Sequence, residues 1–341
     1  MALVPARSPN RPRFDRHRFV SGEPPPEVAG LVAERTAARN QRDWARADTI
    51  RDRIRELGWE VMDETSGTRV RPALPESPAA VGYARPEDLA SLLDAPAELR
   101  ATVVLLAEDY PADLARLLSG VAASSPSVSW ELLIVANAPT FDLGQLIGGI
   151  GLEVEPNTLP TSERLGYADA ANLGLRRSRG ELSILIDSSV EPIGDLIGPL
   201  SAAFEDPTVG LAGPFGVTSG DLRQFSESPP GEVDAVEGYC LAVRRGVLRD
   251  VGLFDRHFRF YRNADLDFSF QARAAGWRAI RCEGLPLRLH EHRGYMSLPD
   301  AERDRVSKRN FYRFLKRWGD RRDLLLHPAP RHAHHRSGSV A

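Results

Sequence analysis

The clearest hydrophobic signal in the chain is the run GELSILIDSSVEP at 180–192. An apolar stretch over 182–186 follows a glycine there and stops at Asp187. A run that is apolar without alternation predicts a strand covered on both faces, as in a parallel α/β sheet. Open sheets of that kind bind ligands outside the carboxyl ends of their strands. Asp187 therefore stands where a carboxylate meets a cation or a sugar hydroxyl, or, more plainly, caps the following loop. The same signal recurs at 101–107 (ATVVLLA), in WELLIVANAP ending near Asn137, at 152–155, in VGLAGP, across 233–243 with a break at Gly238, and at 277–282 and 285–289. Between these runs the apolar period changes to that of a helix. It predicts helices over 111–121, 192–204, 244–251 and 264–275, the last stopped by Gly276. A basic amphipathic helix follows over 298–318, with Val306, Phe311, Phe314 and Leu315 inward. Alternating strands and helices imply right-handed crossovers and a mostly parallel, Rossmann-like α/β sheet flanked by helices. The polar stretch 215–230 reads as a mobile lid.

Ahead of this block, 1–25 is rich in Arg and Pro and lacks periodicity, which predicts a disordered tail. Its Arg11, Arg13, Arg16 and Arg18 read as solvated charge or as a contact for an acidic partner. From Glu27 the pattern is helical. Val28, Leu31 and Val32 mark one face; Trp44, Ala47, Ile50, Ile54 and Leu57 mark a second helix, stopped by Gly58. Asp48 with Arg51, and Asp52 with Arg55, have the spacing of supportive ion pairs. WEVMDETSGTRVRP then reads as a hairpin turning at Ser66–Gly67. The expected division is a helical hairpin with a β cap at 26–72 and a Pro- and Ala-rich linker at 73–98 with one short helix from Pro86. The main domain follows at 99–320, and a disordered, His-rich tail at 321–341.

Composition narrows the function classes. The 341 residues are 42% hydrophobic and 27% charged, as in an ordinary soluble protein with one large domain and an appendage. The net charge of −3 makes no global case for nucleic acid or an acidic membrane surface. Cys240 and Cys282 fit neither a metal-ligand spacing nor a disulfide framework, which points to a reducing cytoplasm. No apolar run approaches the ~20 residues of a membrane span, and the N-terminus lacks a secretory pattern. The expected location is cytoplasmic, with peripheral contact at the inner face of the membrane still open.

Two resemblances add to this reading. Val28-x-x-Leu31-x-x-x-Arg35, Ala38-Arg39, Asp43-Trp44-x-x-Ala47-Asp48-x-Ile50-Arg51-Asp52, Leu57-Gly58 and Asp63-x-x-x-Gly67-Thr68 resemble the C-terminal region of cysteinyl-tRNA synthetases. In that family the region lies near the anticodon end of tRNA. The synthetase catalytic domain has no counterpart here, so aminoacylation is not implied. The resemblance implies RNA or protein contact through 26–72, or a reused hairpin that spaces and stabilises the main domain.

The second covers about 101–318. Gly166-x-x-x-Ala170-x-Asn172-x-Gly174, Gly180-Glu181 and the Asp187 strand come first. Arg244-Arg245, Val251-Gly252-x-Phe254-Asp255, Asp265-x-Asp267, Arg273, Gly276, and His290 or His292 follow in order. Arg309-Asn310-x-x-x-Phe314-x-x-x-Trp318 closes the set. In that order they resemble family 2 glycosyltransferases of the GT-A fold, with an ending like that of members acting on cell-envelope sugars. The resemblance implies inverting transfer of a sugar from a nucleotide-sugar donor to an acceptor that the sequence does not identify. Such a donor leaves as a diphosphate whose charge calls for a divalent cation, Mg²⁺ or Mn²⁺, on hard oxygen ligands. The attacking hydroxyl must lose its proton to a carboxylate.

By matched position Asp265 is the base, and Asp187, Ser189 and His292 form the metal side. Glu108, Asn137, Gly166, Asn172, Gly238, Arg244 and His290 are the expected substrate-binding residues. Of His290 and His292, near a strand end, one is expected to face the site, and His290 is the one expected inward. The chain departs from the family at three acidic positions, which read Ala136, Ser189 and Ala264. Either the site is altered and depends weakly on metal, or catalysis has been lost and the fold serves as a scaffold. Asp267 reads as structural, in the first turn of its helix.

Overall fold

The computed structural model describes residues 24–41, 43–57, 59–64, 67–72 and 82–330. The expected tails over 1–23 and 331–341, Gly58, Ser66 and the linker over 73–81 lie outside the described residues. The chain divides into two units, 1–78 and 79–341.

In the first unit α1 (Pro26–Asn40) and α2 (Trp44–Glu56) precede a hairpin of β1 (Trp59–Glu64) and β2 (Gly67–Pro72). Val28, Ala38, Ala47, Ile50 and Ile54 form its core, as their helical spacing requires. The Asp43 carboxylate accepts the Arg46 N–H and so starts α2. Arg51 and Asp48 pair at 3.3 Å.

The second unit opens with β3 (Leu99–Ala107), α3 (Pro111–Ala123), β4 (Trp130–Ala136), α4 (Leu143–Gly148) and β5 (Asn157–Pro160). Then come α5 (Tyr167–Arg177), β6 (Gly180–Ile186), β7 (Val190–Pro192), α6 (Ile197–Ala202) and β8 (Val209–Gly213). Five short strands follow: β9 (Gly216–Ser219), β10 (Phe225–Glu227), β11 (Gly231–Val233), β12 (Ala235–Val236) and β13 (Cys240–Arg244). The unit ends with α7 (Arg245–Asp250), α8 (Ala264–Ala274), β14 (Arg278–Arg281), β15 (Leu287–Leu289), α9 (Arg293–Met296) and α10 (Asp300–Trp318).

An eight-stranded sheet in the order β11-β14-β8-β13-β6-β3-β4-β5 carries the unit. β6, β3, β4 and β5 run parallel, and β13 inserts antiparallel between β6 and β8. The central strands are apolar on both faces because helices cover both. Val104, Leu133 and Val135 pack with α5, whereas Val103, Leu105 and Ile134 pack with α3. Gly174 lets α5 close onto the sheet, since a Cβ there would lie 2.2 Å from a Val104 methyl. Beyond the sheet, Phe314 and Trp318 of α10 pack on Phe270 of α8 and Val217 of β9.

Four sequence expectations change. The third strand is Asn157–Pro160 rather than 152–155. The stretch 215–230 is not a loop-like lid: β9 and β10 pair across a turn in which the Ser219 hydroxyl accepts the Leu222 N–H at 2.9 Å. The linker is shorter than expected, because Tyr83, Leu89 and Leu93 join the main core and Tyr83 bridges to Thr161. The tail begins later, because Leu325 is buried and the Leu326 N–H donates to buried Asp234 at 2.8 Å.

Candidate active site

β3 and β6 lie side by side, while the chain leaves β3 for β4 on the other side. That reversal opens a crevice at their carboxyl ends. Glu108 follows β3, Asp187 follows β6, Gly238 precedes β13, and the turn entering α8 delivers Asp265. All four line one cavity of about 720 Å³. Two of its lining residues, Tyr110 (φ 59°) and Asn263 (φ 64°), are left-handed. Such backbone is uncommon for residues other than glycine and clusters at functional sites.

Asp265 is held by backbone. The Gly238 N–H donates to its Oδ2 at 2.8 Å and the Leu266 N–H to its Oδ1 at 2.9 Å. Burial raises its pKa, and these two bonds offset only part of that. A Cβ on Gly238 would sit 3.2 Å from the Asp265 Cβ, so glycine leaves the room this carboxylate needs. Next to Gly238, Glu237 also lines the cavity, and among the described residues neither a hydrogen bond nor an ion pair reaches its carboxyl. Burial first, then the charge of Asp265, push it up to about 7. Sequence reasoning passed over Glu237; its signal was an acid inside the apolar run, directly before the flagged glycine.

Asp187 accepts the Ser189 N–H on Oδ1 at 2.8 Å, and its Oδ2 lies 3.2 Å from Nε2 of His292. Burial acts to raise Asp187, but His292 and Ser189 outweigh it and its pKa falls. Burial acts to lower His292, and Asp187 outweighs that too, so the imidazole is raised. Nδ1 of His292 accepts the Tyr295 N–H at 3.0 Å, which assigns the proton of the neutral ring to Nε2, facing Asp187. Tyr261 stacks on the ring at 4.4 Å.

At the other end, Glu108 accepts from Asn137 Nδ2 at 2.5 Å, and burial raises its pKa. Asn137 also accepts the Leu165 N–H at 2.8 Å, so it positions Glu108 and the loop from beneath. Arg164 forks onto Asp109 at 2.9 and 3.0 Å.

The other expected residues stay outside the cavity. Asn172 exchanges hydrogen bonds with the backbone of Phe254. Arg244 donates to the carbonyls of Phe204, Asp206 and Val209. Gly166 packs against Arg259, where a Cβ would come within 2.9 Å of the Arg259 Cα. His290 turns away and meets Glu191 at 2.5 Å, so the histidine that faces inward is His292. Asp267 is structural, accepting from Trp318 Nε1 and Gln271.

The expected cation finds few ligands. Ser189 is buried off the cavity, and the Nε2–H of His292 points at Asp187. Among the described residues no group of three or more His, Cys, Asp or Glu is arranged to hold a metal ion. The residues present do not fit a cation held by the protein alone.

Both resemblances recur among known proteins. The family model of the cysteinyl-tRNA ligase anticodon binding domain matches residues 21–71. Cysteine–tRNA ligase of Methanosarcina acetivorans is 47% identical over 51 residues, 15% of this chain and 11% of that protein. A pre-mycofactocin glycosyltransferase of Mycobacterium tuberculosis is 28% identical over 181 residues, 48% of this chain and 37% of that protein. The chain thus spans well under half the length of either relative. Among solved structures, GalNAc-T7 with UDP, GalNAc and Mn²⁺ superposes with a TM-score of 0.52 at 15% identity, over 66% of this chain and 49% of that one. The mannosyltransferase PcManGT from Pyrobaculum calidifontis, in complex with GDP-Man and Mn²⁺, gives 0.52 at 18% identity, over 70% and 71%. The larger unit has the GT-A fold of these transferases, and the N-terminal segment is similar to the cysteinyl-tRNA ligase anticodon binding domain.

Proposed function

We propose that the larger unit transfers a sugar from a nucleotide-activated donor to a hydroxyl acceptor. The observation that carries this reading is the convergence of Asp187 and Asp265, distant in sequence, on one cavity at the reversal point of a GT-A sheet. The end with Glu108, Asp109 and Tyr110 takes the nucleoside, and Asp187 meets its ribose. Asp265, with its raised pKa, accepts the proton of the attacking hydroxyl. As that oxygen bonds to the anomeric carbon, the bond to the diphosphate breaks on the opposite side, with inversion. Arg223, Arg262 and Arg293 line the cavity and supply positive charge for the leaving diphosphate. Mn²⁺ accompanies both similar structures described above. A Mg²⁺ or Mn²⁺ ion here would rest on Asp187 and the donor's own phosphates, so the reading predicts weak metal dependence.

The test is a thermal-shift screen with UDP, GDP and dTDP, with and without Mn²⁺, followed by turnover of the matching sugars. A ligand that binds only the folded state raises Tm. No shift with any nucleotide would leave the second reading. In that reading the fold is a scaffold without catalysis, in keeping with Ala136, Ser189 and Ala264, and 26–72 docks RNA or protein. The match at 21–71 favours RNA for that docking. Among the described residues no helix is long and apolar enough to cross a membrane.

A further inference from the structure

A second groove, of about 500 Å³, adjoins the cavity and shares Arg164, Leu165 and Arg259 with its lining. Six arginines line it: Arg85, Arg164, Arg256, Arg259, Arg309 and Arg313. Against them stand the carboxylates of Glu163 and Asp169. Arg164 is taken up by Asp109, Arg256 reaches Asp169 at 3.6 Å, and Arg313 reaches Asp255 at 3.4 Å. Arg85, Arg259 and Arg309 are exposed, and among the described residues no carboxylate makes a close ion pair with them; Asp169 and Glu302 feel Arg259 and Arg309 only at longer range. In a chain of net charge −3, this is a local excess of positive charge, six arginines against two carboxylates in the groove lining. Guanidinium groups suit phosphate because their planar forks match its oxygens.

The groove continues onto α10. Arg309, Tyr312, Arg313 and Lys316 share one exposed helical face, and Tyr312 is 68% exposed. Earlier on the helix, Arg305 pairs with Glu302 and Lys308 with Asp304. Over the last two turns of that face, among the described residues, no acid makes a close ion pair with Arg309 or Lys316; Glu302 acts on Arg309 from a distance. An anionic membrane is the less suitable partner. A helix lying on a bilayer must insert an apolar face, and the apolar side of α10 (Val306, Phe314, Trp318) is already buried in its own core. What remains outside is cationic side chains around one aromatic ring, the combination that tracks a phosphate backbone and stacks a base.

We propose that this groove and the exposed face of α10 bind a single strand of RNA, leading it past the rim of the cavity at Arg164 and Arg259. All of these residues belong to the larger unit; the RNA-docking reading of the N-terminal unit above points to the same class of partner. It does not depend on the sugar-transfer reading.

The test is fluorescence anisotropy of the full chain with a labelled 12-nucleotide RNA across a salt series. Binding should weaken steeply with salt. The double variant R309E/R313E should lose at least tenfold in affinity, and its log–log salt slope should flatten by about 1.4, roughly 0.7 for each lost phosphate contact. Tyr312→Ala should lose about fivefold or more with the slope unchanged, since stacking is not a counterion effect. Neither variant touches the cavity, so nucleotide-induced thermal shifts should match wild type. If nucleotides fail to bind while RNA binding follows these expectations, the transfer reading falls and this one stands. RNA binding equal in wild type and R309E/R313E overturns the proposal. So does polyglutamate binding as tightly as RNA, or binding to phosphatidylglycerol vesicles without binding to RNA.

Discussion

The two edges of the central sheet carry similar charged residues and use them in opposite ways. At the amino edge, arginines and acids are tied off. Arg245, 4% exposed, donates to the carbonyls of Gly180, Ser178 and Leu92. Arg179 pairs with Glu131 at 2.7 Å, Thr102 donates to the same carboxylate, and Arg100 and Arg244 share Glu181. At the carboxyl edge, among the described residues, Asp265 accepts hydrogen bonds from backbone N–H groups alone and the Glu237 carboxyl from none. Buried polar groups stabilise a fold when satisfied and are costly when not. The first edge therefore locks strands together, whereas the second keeps Asp265 and Glu237 at raised pKa for something that enters from outside.

The largest effect should come from the locked edge. Arg245→Ala removes charge-assisted hydrogen bonds from the carbonyls of Gly180, Ser178 and Leu92, and should cost about 4 kcal/mol in chemical denaturation. A tolerated Arg245→Ala would break the contrast. Asp265→Asn should reverse the pattern, lowering sugar turnover about 10²- to 10⁴-fold while Tm stays within a few degrees. Turnover unchanged in that variant would remove Asp265 from the chemistry.

Glu237→Gln sharpens the contrast through pH. Folding raises the Glu237 pKa from its ordinary 4.5 to about 7, so the folded state holds the proton more tightly than the unfolded state. The native chain then loses stability as pH rises through that window, and above it the full cost of the buried charge is present. Glutamine removes that cost, so the variant should gain a few degrees of Tm at pH 8 and almost nothing at pH 4. Equal gains at both pH values would mean that Glu237 is not held near neutrality. The smallest change is expected from Arg164→Lys, which keeps the charge on Asp109 but loses the fork. Both partners are more than a third exposed. Stability should move by less than about 1 kcal/mol, while nucleoside binding at Glu108 and Asp109, read by calorimetry, weakens severalfold.

The sequence revealed what burial on two faces imposes. β3, β4 and β6 are apolar without alternation because helices cover both sides, and Asp187 stood out where that run stopped. β5 was misplaced because only Leu159 of its four residues is buried, which leaves almost no pattern to read. The β9–β10 hairpin looked like a lid because its strands are short and polar. The arginines were the hardest to place. Arg244 and Arg245 matched a motif compatible with phosphate binding, but backbone carbonyls distant in sequence claim them first. For the histidines, a strand period puts residues two apart on one face and so cannot separate His290 from His292. They part because β15 ends at Leu289: His290 stays beside β7 and meets Glu191, whereas His292 caps α9 and faces Asp187.

One consequence reaches from the end of the described chain to the cavity. Asp234 accepts from both Ser219 and Leu326, while Arg322 and Ala329 donate to Gly220. These bonds anchor the hairpin that presents Arg223 and Phe225 to the cavity. A chain shortened just after Trp318 would therefore release a wall of the binding chamber from the far side, and should bind nucleotide loosely although every residue of that chamber is still present.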